Sequence, residues 1–462
     1  MINWSVDKLA EVIIAKRTGG SAGRFSGVST DSRTIGEGEC FFAIKGPNFD
    51  GHDYVDQAFA KGASCAVVQA SIKGADGRCV LRVGDTVKAL GRLAAAYRRE
   101  MGFRVAAITG SAGKTTTREM IYHVLSRHIS CHQAQGSFNN SIGLPLTLLG
   151  AGEQHEAVIV ELGSSRLGEI EYLSRIAQPD IAVITNVYPA HLEGFGNMRA
   201  VAKEKASIAK GLRQGGVLIV NAKFEQQVRK FIDDEIEIEI FGNFGGCDIV
   251  ADEMAAEGSG GRFRIGGCTV VVNVAGRGNL ENALAAWGVC RYFGMTEEQL
   301  CDGIKDFEGV NMRLRVRRLG DVTVLDDCYN ANPASMANAL DCLAEIGRAE
   351  GGRMVFICGP MLELGQQAEA FHEEMGRQIA RKGVDVLITA GKLAELAARA
   401  ARVNAVKNLE VYCMEDTEEV CKRIEEFIKP ADIILVKASR NARFERVVQT
   451  ISNWVDVRAA LR

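Results

Sequence analysis

From Arg104 onward the chain alternates short apolar runs with segments of helical spacing. VAAIT (105–109) precedes a predicted helix from about Lys114 to Ser126, in which Met120, Ile121, Val124 and Leu125 form one apolar face. AVIVE (157–161), IAVIT (181–185) and VLIV (217–220) follow, with helical sequence between them. Strands that lack polar alternation are buried on both faces, so this series predicts a parallel sheet covered by helices. A second series runs through VTVLD (322–326), MVFIC (354–358), VDVLIT (384–389) and DIILVK (432–437). One of its helices repeats Phe371, Met375 and Ile379 at i, i+4 and i+8. Ahead of both series, strand-like runs at 40–44, 65–68 and 79–83 flank a helical stretch near 54–61, and 84–100 reads as a connecting helix. Between the series, 240–275 holds Gly and short strands before a helical run over 279–293. The pattern predicts an α/β chain of three domains, 1–83, 84–312 and 313–462.

Composition narrows the class without choosing a function. At 47% hydrophobic and 24% charged, 462 residues suit a globular chain with several cores, excluding wholesale disorder and a small disulfide scaffold. Lys plus Arg total 55 against 58 Asp plus Glu, so no global field attracts nucleic acid, and no nucleic-acid partner is expected. The 13 cysteines are odd in number, scattered and never C-x-x-C, which fits small buried side chains in a reducing compartment. The first residues lack the basic and long apolar stretches of a signal peptide, and no uncharged apolar run reaches 18 residues. A cytoplasmic protein without membrane insertion is expected. The 50 Gly against 7 Pro show no collagen period, so the glycines punctuate turns.

The strongest chemical signal is Thr109-Gly110-Ser111-Ala112-Gly113-Lys114-Thr115-Thr116, between a predicted strand and a predicted helix. Glycines let backbone amides turn toward phosphates, and the helix start favours negative charge. Lys114 would reach the β/γ phosphates, and the Thr115 hydroxyl would hold Mg²⁺. Ile108 stands where the longer phosphate-loop pattern wants Gly, so the sequence fits a shorter G-x-x-G-K-T form. Glu161 ends one later strand and His191 lies just beyond another; in a parallel sheet these ends share one edge with Thr115. A carboxylate and an imidazole, helped by phosphate oxygens, can position Mg²⁺; a surface acid and a structural histidine are the plainer alternatives.

Other groups are weaker. His123, His128 and His132 fall on different helix faces and are read as solvated or helix-end histidines. Arg313-Leu-Arg-Val-Arg-Arg318 suits a half-exposed strand from which one arginine could face a phosphate. At 325–333 (LDDCYNANP) a strand ends in polar groups suited to a ligand, with Asn332 as helix cap and Pro333 in the first turn. Lys437-Ala438-Ser439-Arg440 offers cations for a carboxylate or phosphate.

Taken in order, these segments resemble the Mur ligase family, ATP-dependent amide-forming enzymes of peptidoglycan precursor synthesis. The likeness runs nearly the whole chain: STDSRTIGEGECFFAIKGPNFDGHDYV, TGSAGKTTT, SFNNSIGLPLTLL, ELGSSRLGEIEYLS, ITNVYPAHLEGFG, NLENALAA, DDCYNANPASM, MLELG and VKASR. NNSIGLPLTLL and DDCYNANPASM look like the member that joins D-alanyl-D-alanine to UDP-N-acetylmuramoyl-tripeptide. The resemblance implies an N-terminal α/β UDP-sugar domain, a central P-loop ATPase-like parallel sheet and a C-terminal Rossmann-like domain, with ATP and Mg²⁺ as cofactors and a monomeric state. Residue by residue it implies UDP-substrate contacts at Thr30, Asp31, Ser32 and Arg33, and ATP contacts over Thr109 to Thr116. Lys114 falls on the phosphates, Thr115, Glu161 and His191 on metal. Lys205 falls where relatives carry a carbamylated lysine, with Lys203 a nearby competitor. Asn279 and Asn282 match positions near adenine. Arg313 and Asp326 match the C-terminal side of the ATP site; Asn139, Asn140, Tyr329, Asn330, Asn332, Lys437, Ser439 and Arg440 fall on the substrate side.

The chain departs from the family strings at Gly278, where His is usual, at Tyr188 and Ala438, where Gly is usual, and at Pro360, where an acid is common. Ala112 replaces a frequent Asn. These departures bear on the positioning of nucleotide and acceptor. They leave two rivals open: a sister or folylpolyglutamate-type ligase with another acceptor, and a nucleotide-binding regulatory protein with a decayed site. Retention of Lys114, Thr115, Glu161 and His191 argues against decay.

Overall fold

The computed structural model describes residues 2–20, 23–72 and 77–460. Its centre is a seven-stranded, all-parallel sheet in the order Ile249–Val250, Glu237–Gly242, Val217–Asn221, Ile181–Ile184, Arg104–Thr109, Ala157–Glu161, Cys131–Gln133. Arg104–Thr109 pairs with Ala157–Glu161 on one side and Ile181–Ile184 on the other. The chain therefore reverses its direction of winding at this strand, where ligands of open α/β sheets bind at the carboxyl ends.

Helices cover both faces. Met120, Ile121, Val124 and Leu125 of the helix Lys114–Leu125 are fully buried, as their spacing predicts. Each such side chain contributes about 1.5–3 kcal/mol. The helix Arg277–Tyr292 is buried on most sides between the sheet and a three-stranded antiparallel sheet, Asp252–Glu257, Gly260–Ile265 and Cys268–Val272. The Gly-rich stretch thus splits, its first strands lengthening the central sheet and the rest forming this cover.

The N-terminal five-stranded sheet runs Lys16–Gly19, Cys79–Arg82, Cys65–Val68, Cys40–Phe42, Val28–Ser29, antiparallel only at Lys16–Gly19. Leu90, Leu93 and Tyr97 of the helix Thr86–Glu100 join its core to the central one in a single hydrophobic cluster. The last sheet has six strands: Arg315–Leu319, Val322–Asp326, Ile433–Lys437, Met354–Cys358, Val386–Ala390, Glu410–Met414, parallel except for the first. Its helix Pro333–Glu350 starts as expected, with Asn332 and Ser335 in a reciprocal cap and Pro333 in the first turn.

Two central elements lack a sequence signature. Gly143–Gly150 is an apolar helix with six of its eight residues buried, so it shows no amphipathic period. Cys131–Gln133 is a three-residue edge strand with no fully buried residue. None of the 13 cysteines is in a disulfide, and the seven that are buried match their reading as small core residues. Among the described residues no helix is long and apolar enough to cross a membrane.

Candidate active site

The carboxyl edge of the central sheet faces the C-terminal domain across a cavity of about 780 Å³. The loop 110–113 forms its floor and is glycine-dependent at two positions. Gly110 has φ 151° and a side chain there would meet Thr185 Oγ1 at 2.0 Å; Gly113 has φ 81° and would meet Asn282 Oδ1 at 2.3 Å. The loop is held from the neighbouring strand end. The Ala112 amide donates to Asn186 Oδ1 (2.8 Å), Thr185 Oγ1 donates to the Ala112 carbonyl (2.7 Å), and Ser111 Oγ bonds both backbone groups of Tyr188. Thr109 Oγ1 donates to the Leu162 carbonyl beneath the loop, outside the cavity lining. Lys114 Nζ donates to the Gly110 carbonyl at 2.9 Å. Burial holds its ammonium below the ordinary lysine range; Glu161 opposes that shift and Arg313 adds to it.

Glu161 is 1% exposed, and both its oxygens accept side-chain hydrogen bonds, Oε2 from Thr115 Oγ1 (2.9 Å) and Oε1 from Asn139 Nδ2 (2.7 Å). Arg313 Nη2 donates to Thr115 Oγ1 at 3.3 Å. A hydroxyl and a buried carboxylate beside a phosphate loop are hard oxygen donors, which suit Mg²⁺ completed by phosphate oxygens and water. Among the described residues no three His, Cys, Asp or Glu cluster as a metal cage. His191 lines the same cavity, its Nδ1 2.5 Å from Glu363 Oε2 of the C-terminal domain.

Lys205 is 2% exposed and donates to Ser164 Oγ at 3.0 Å, behind the cavity wall. Burial first, then the charge of Lys114, brings its pKa down to about 7. Lys203 is exposed, so of the two candidate lysines only Lys205 is turned toward the site.

The facing wall comes from the C-terminal domain. Arg313 stands between Met312 and Leu314, both left-handed at φ 60° and 55°, and its guanidinium lies 3.8 Å from the Tyr329 ring centre. Arg440 approaches the same ring at 5.5 Å. Asn332 Nδ2 reaches across to the Ser111 carbonyl (3.3 Å), and Asn330 also lines the cavity. Lys437 is committed: it donates to Asp327 Oδ2 (2.6 Å) and to the Asn330 carbonyl (2.9 Å). Burial raises the Asp327 carboxyl, with Lys437 as the main opposing influence.

Asn279 and Asn282 are buried and bonded to each other at 3.0 Å behind Gly113, and both edge the cavity. Gly278 donates its amide to Asn338 Oδ1 of the C-terminal domain at 3.1 Å, a contact a histidine side chain would crowd. Tyr188, the second departure, packs edge-on against Phe224 at 4.9 Å and lines the cavity with Lys223 and Glu281.

Several expected residues stand elsewhere. Asp326 does not line the cavity; its Oδ1 accepts from Cys328 Sγ, and Asp327 is the acid that faces inward. Ser439 Oγ is used by the Leu362 amide, and Asn140 Oδ1 caps Ile142 and Gly143 although Asn140 remains at the cavity rim. Thr30, Asp31, Ser32 and Arg33, expected on the UDP-substrate, lie in the N-terminal domain and do not line this cavity. There Asp31 pairs with Arg33 at 2.7 Å, which lowers its pKa to about 2, and Ser32 donates to Gln57. His123, His128 and His132 face different neighbours (Phe307, Gln299 and His155), so they form no cluster. Sequence reading missed roles for Thr185, Asn186, Ser164 and Glu363, and of the two acids at 326–327 it chose Asp326 over Asp327. Asn186 was accessible within ITNV, at a strand end beside the loop; Glu363 lies in the quoted MLELG string, but nothing there points to His191.

Family models match in chain order: "Mur ligase family, catalytic domain" over residues 24–98, "Mur ligase middle domain" over 108–290 and "Mur ligase, glutamate ligase domain" over 312–440. The chain is 35% identical over 438 residues to UDP-N-acetylmuramoyl-tripeptide–D-alanyl-D-alanine ligase of Bacillus subtilis, covering 92% of this chain and 93% of that protein. Among solved structures it is similar to MurF from Acinetobacter baumannii, with TM-score 0.88, 29% identity and 99% of each chain covered. It is also similar to MurF ligase from Thermotoga maritima in complex with ADP, with TM-score 0.82, 28% identity and 94% and 98% covered. A phosphate loop set against a C-terminal wall, together with these end-to-end matches, leaves one assignment: the chain belongs to the Mur ligase family.

Proposed function

We propose that this protein uses ATP to join D-alanyl-D-alanine to UDP-N-acetylmuramoyl-tripeptide, a step of peptidoglycan precursor synthesis. The observation that carries the reading is near full-length similarity to a ligase of that name, on a chain that keeps Lys114, Thr115, Glu161 and His191 around one cavity. A carboxylate resists amine attack because its leaving oxygen is too basic. Transfer of the ATP γ-phosphoryl group to a carboxylate oxygen gives ADP and an acyl phosphate. The neutral amine of the dipeptide then attacks the carbonyl carbon, the C–O bond to phosphate breaks, and the amine gives up a proton.

The chain's own groups fit these demands. The loop amides and Lys114 receive the phosphates, and Arg313 meets the charge on the transferred group from the opposite domain. Mg²⁺, held by Thr115 and Glu161 with His191 nearby, supplies further neutralisation of the polyphosphate when bound. Lys437 is tied to Asp327, and Arg440, which lines the cavity beside Tyr329, is the cation of that turn offered to the dipeptide carboxylate. Lys205, whose pKa of about 7 leaves a large neutral fraction near that pH, is competent for carbamylation. Closure of the two walls holds the reactants together and keeps water from the acyl phosphate.

Mass-spectrometric detection of UDP-N-acetylmuramoyl-pentapeptide tests the reading, with tripeptide, dipeptide, ATP and Mg²⁺ omitted in turn. Product should require all four. Phosphate release stimulated by glutamate or a diamino acid instead would move the protein to a sister ligase, and nucleotide binding without turnover would make it a decayed one.

A further inference from the structure

We propose that Glu363, delivered by the C-terminal domain, is a positioning residue that fixes the His191 ring, so that the metal side of the central site is complete only while the two domains touch. Oε2 of Glu363 lies 2.5 Å from His191 Nδ1, across the junction. Nδ1 is buried and makes no hydrogen bond of regular geometry among the described residues, so the Glu363 carboxylate meets it as a close charged neighbour. Both residues line the cavity that also holds Lys114, Thr115 and Glu161.

The contact is held by backbone as well as side chains. The Glu193 amide donates to the Glu363 carbonyl at 3.1 Å. A side chain on Gly365, φ 59°, would stand 3.3 Å from Glu193 Cα, so a larger residue there would be strained and would push the two loops apart slightly. His191 and Glu363 both adopt left-handed backbone, at φ 51° and 64°. Such conformations are rare for residues with side chains and persist where surrounding contacts enforce them. Here each side chain is aimed at the other domain.

Imidazole chemistry gives the pairing its consequence. A carboxylate on Nδ1 selects the tautomer with hydrogen there and leaves the Nε2 lone pair free for a divalent ion. It also stops the ring from turning about its side-chain bonds. With the C-terminal domain displaced, Nδ1 loses this carboxylate and the ring is unfixed. Glu363 would thereby tie domain contact to readiness of the metal side, and it gives the MLELG string a role the phosphate chemistry does not supply.

The inference rests on the reading of His191 as a metal-side residue, and the experiment separates the two. Mn²⁺ binding to the full chain, saturated with a non-hydrolysable ATP analogue, is measured by electron paramagnetic resonance for wild type, Glu363→Ala, Glu363→Gln and His191→Ala. Glu363→Ala should weaken Mn²⁺ about 10- to 100-fold, the range for lost carboxylate support of a histidine ligand. Glu363→Gln, which can still accept from Nδ1–H, should lose less, and metal-free affinity for the analogue should stay unchanged in both. If His191→Ala weakens Mn²⁺ while Glu363→Ala stays within twofold of wild type, the positioning role is overturned and the metal reading stands. If His191→Ala leaves Mn²⁺ affinity intact, both fall. Loss of metal-free analogue affinity in Glu363→Ala would also overturn the proposal, as a sign of general disruption.

Discussion

The loop 110–113 and the wall that faces it reach the same cavity by opposite routes. The loop is fixed from its own domain: Thr185, Asn186 and Tyr188 on the adjacent strand end hold its backbone, and Asn282 closes the space behind Gly113. The wall offers long side chains from scattered turns, Arg313, Tyr329, Asn332 and Glu363, several of which end on groups of the central domain. One surface is preorganised before any partner arrives, whereas the other becomes a surface of this site only through domain contact. Damage to the loop should therefore abolish chemistry, and damage to the wall should first weaken binding.

The largest expected effect tests the loop. Lys114→Ala should lower turnover by at least about 10²–10³-fold, the scale for losing one preorganised charge at a reacting centre, with little change in melting temperature. An equal loss of stability would mean that Lys114, through its bond to the Gly110 carbonyl, mainly holds the loop together. Gly113→Ala should be nearly as harmful for a different reason, since φ 81° and the 2.3 Å approach to Asn282 Oδ1 oppose any side chain. We expect about 1–3 kcal/mol of strain and weakened nucleotide binding, read by denaturant melts and calorimetry.

Lys205 gives a pH test on the loop side. With its pKa at about 7, the fraction of neutral amine falls as pH drops through 7, so product formation should fall there and recover with added bicarbonate near pH 8. Stability carries the opposite test of the same group. Between about pH 7 and 10.4 the unfolded chain holds a proton on this lysine that the folded chain does not, so this group makes stability rise with pH across that window. Lys205→Met should remove that slope in melts taken at pH 7 and 9. A slope unchanged by the substitution would mean the lysine stays charged when folded.

What could be seen beforehand divides along the same line. Strand ends at Thr109 and Glu161 and the helix start at Lys114 are encoded by contiguous runs, because a parallel strand, its turn and its helix are local in sequence. Asp326 and Asp327 show where that stops. Successive side chains at a strand end point to opposite sides, so the choice of inward acid depends on one residue of register, set by pairing of Asp326 with Arg315 and Val436. The pairing of Glu363 was invisible for a stronger reason, since its partner His191 lies more than 170 residues away, beyond a strand of another sheet. Gly278 reads as a lost histidine in sequence; in the fold, its amide meets Asn338 Oδ1, and a side chain there would have to shift that amide.

The smallest effect separates the two jobs of one residue of the wall. Asn332 caps the helix Pro333–Glu350 through Oδ1, which accepts from the Ser335 amide, while Nδ2 donates to the Ser111 carbonyl of the loop. Alanine removes both and should cost about 0.5–2 kcal/mol of stability through the cap, with a rise in KM for ATP. Serine keeps a capping oxygen but has no amide to reach Ser111. Asn332→Ser should therefore melt within about 0.5 kcal/mol of wild type, as interchange of good caps does, yet show the same KM increase as alanine, of about two- to tenfold for one neutral hydrogen bond. If serine restores KM along with stability, the cross-domain bond has no part in nucleotide binding, and the wall acts there only through Arg313. If KM stays raised while stability recovers, this single amide is one of the contacts through which domain approach is felt at the loop.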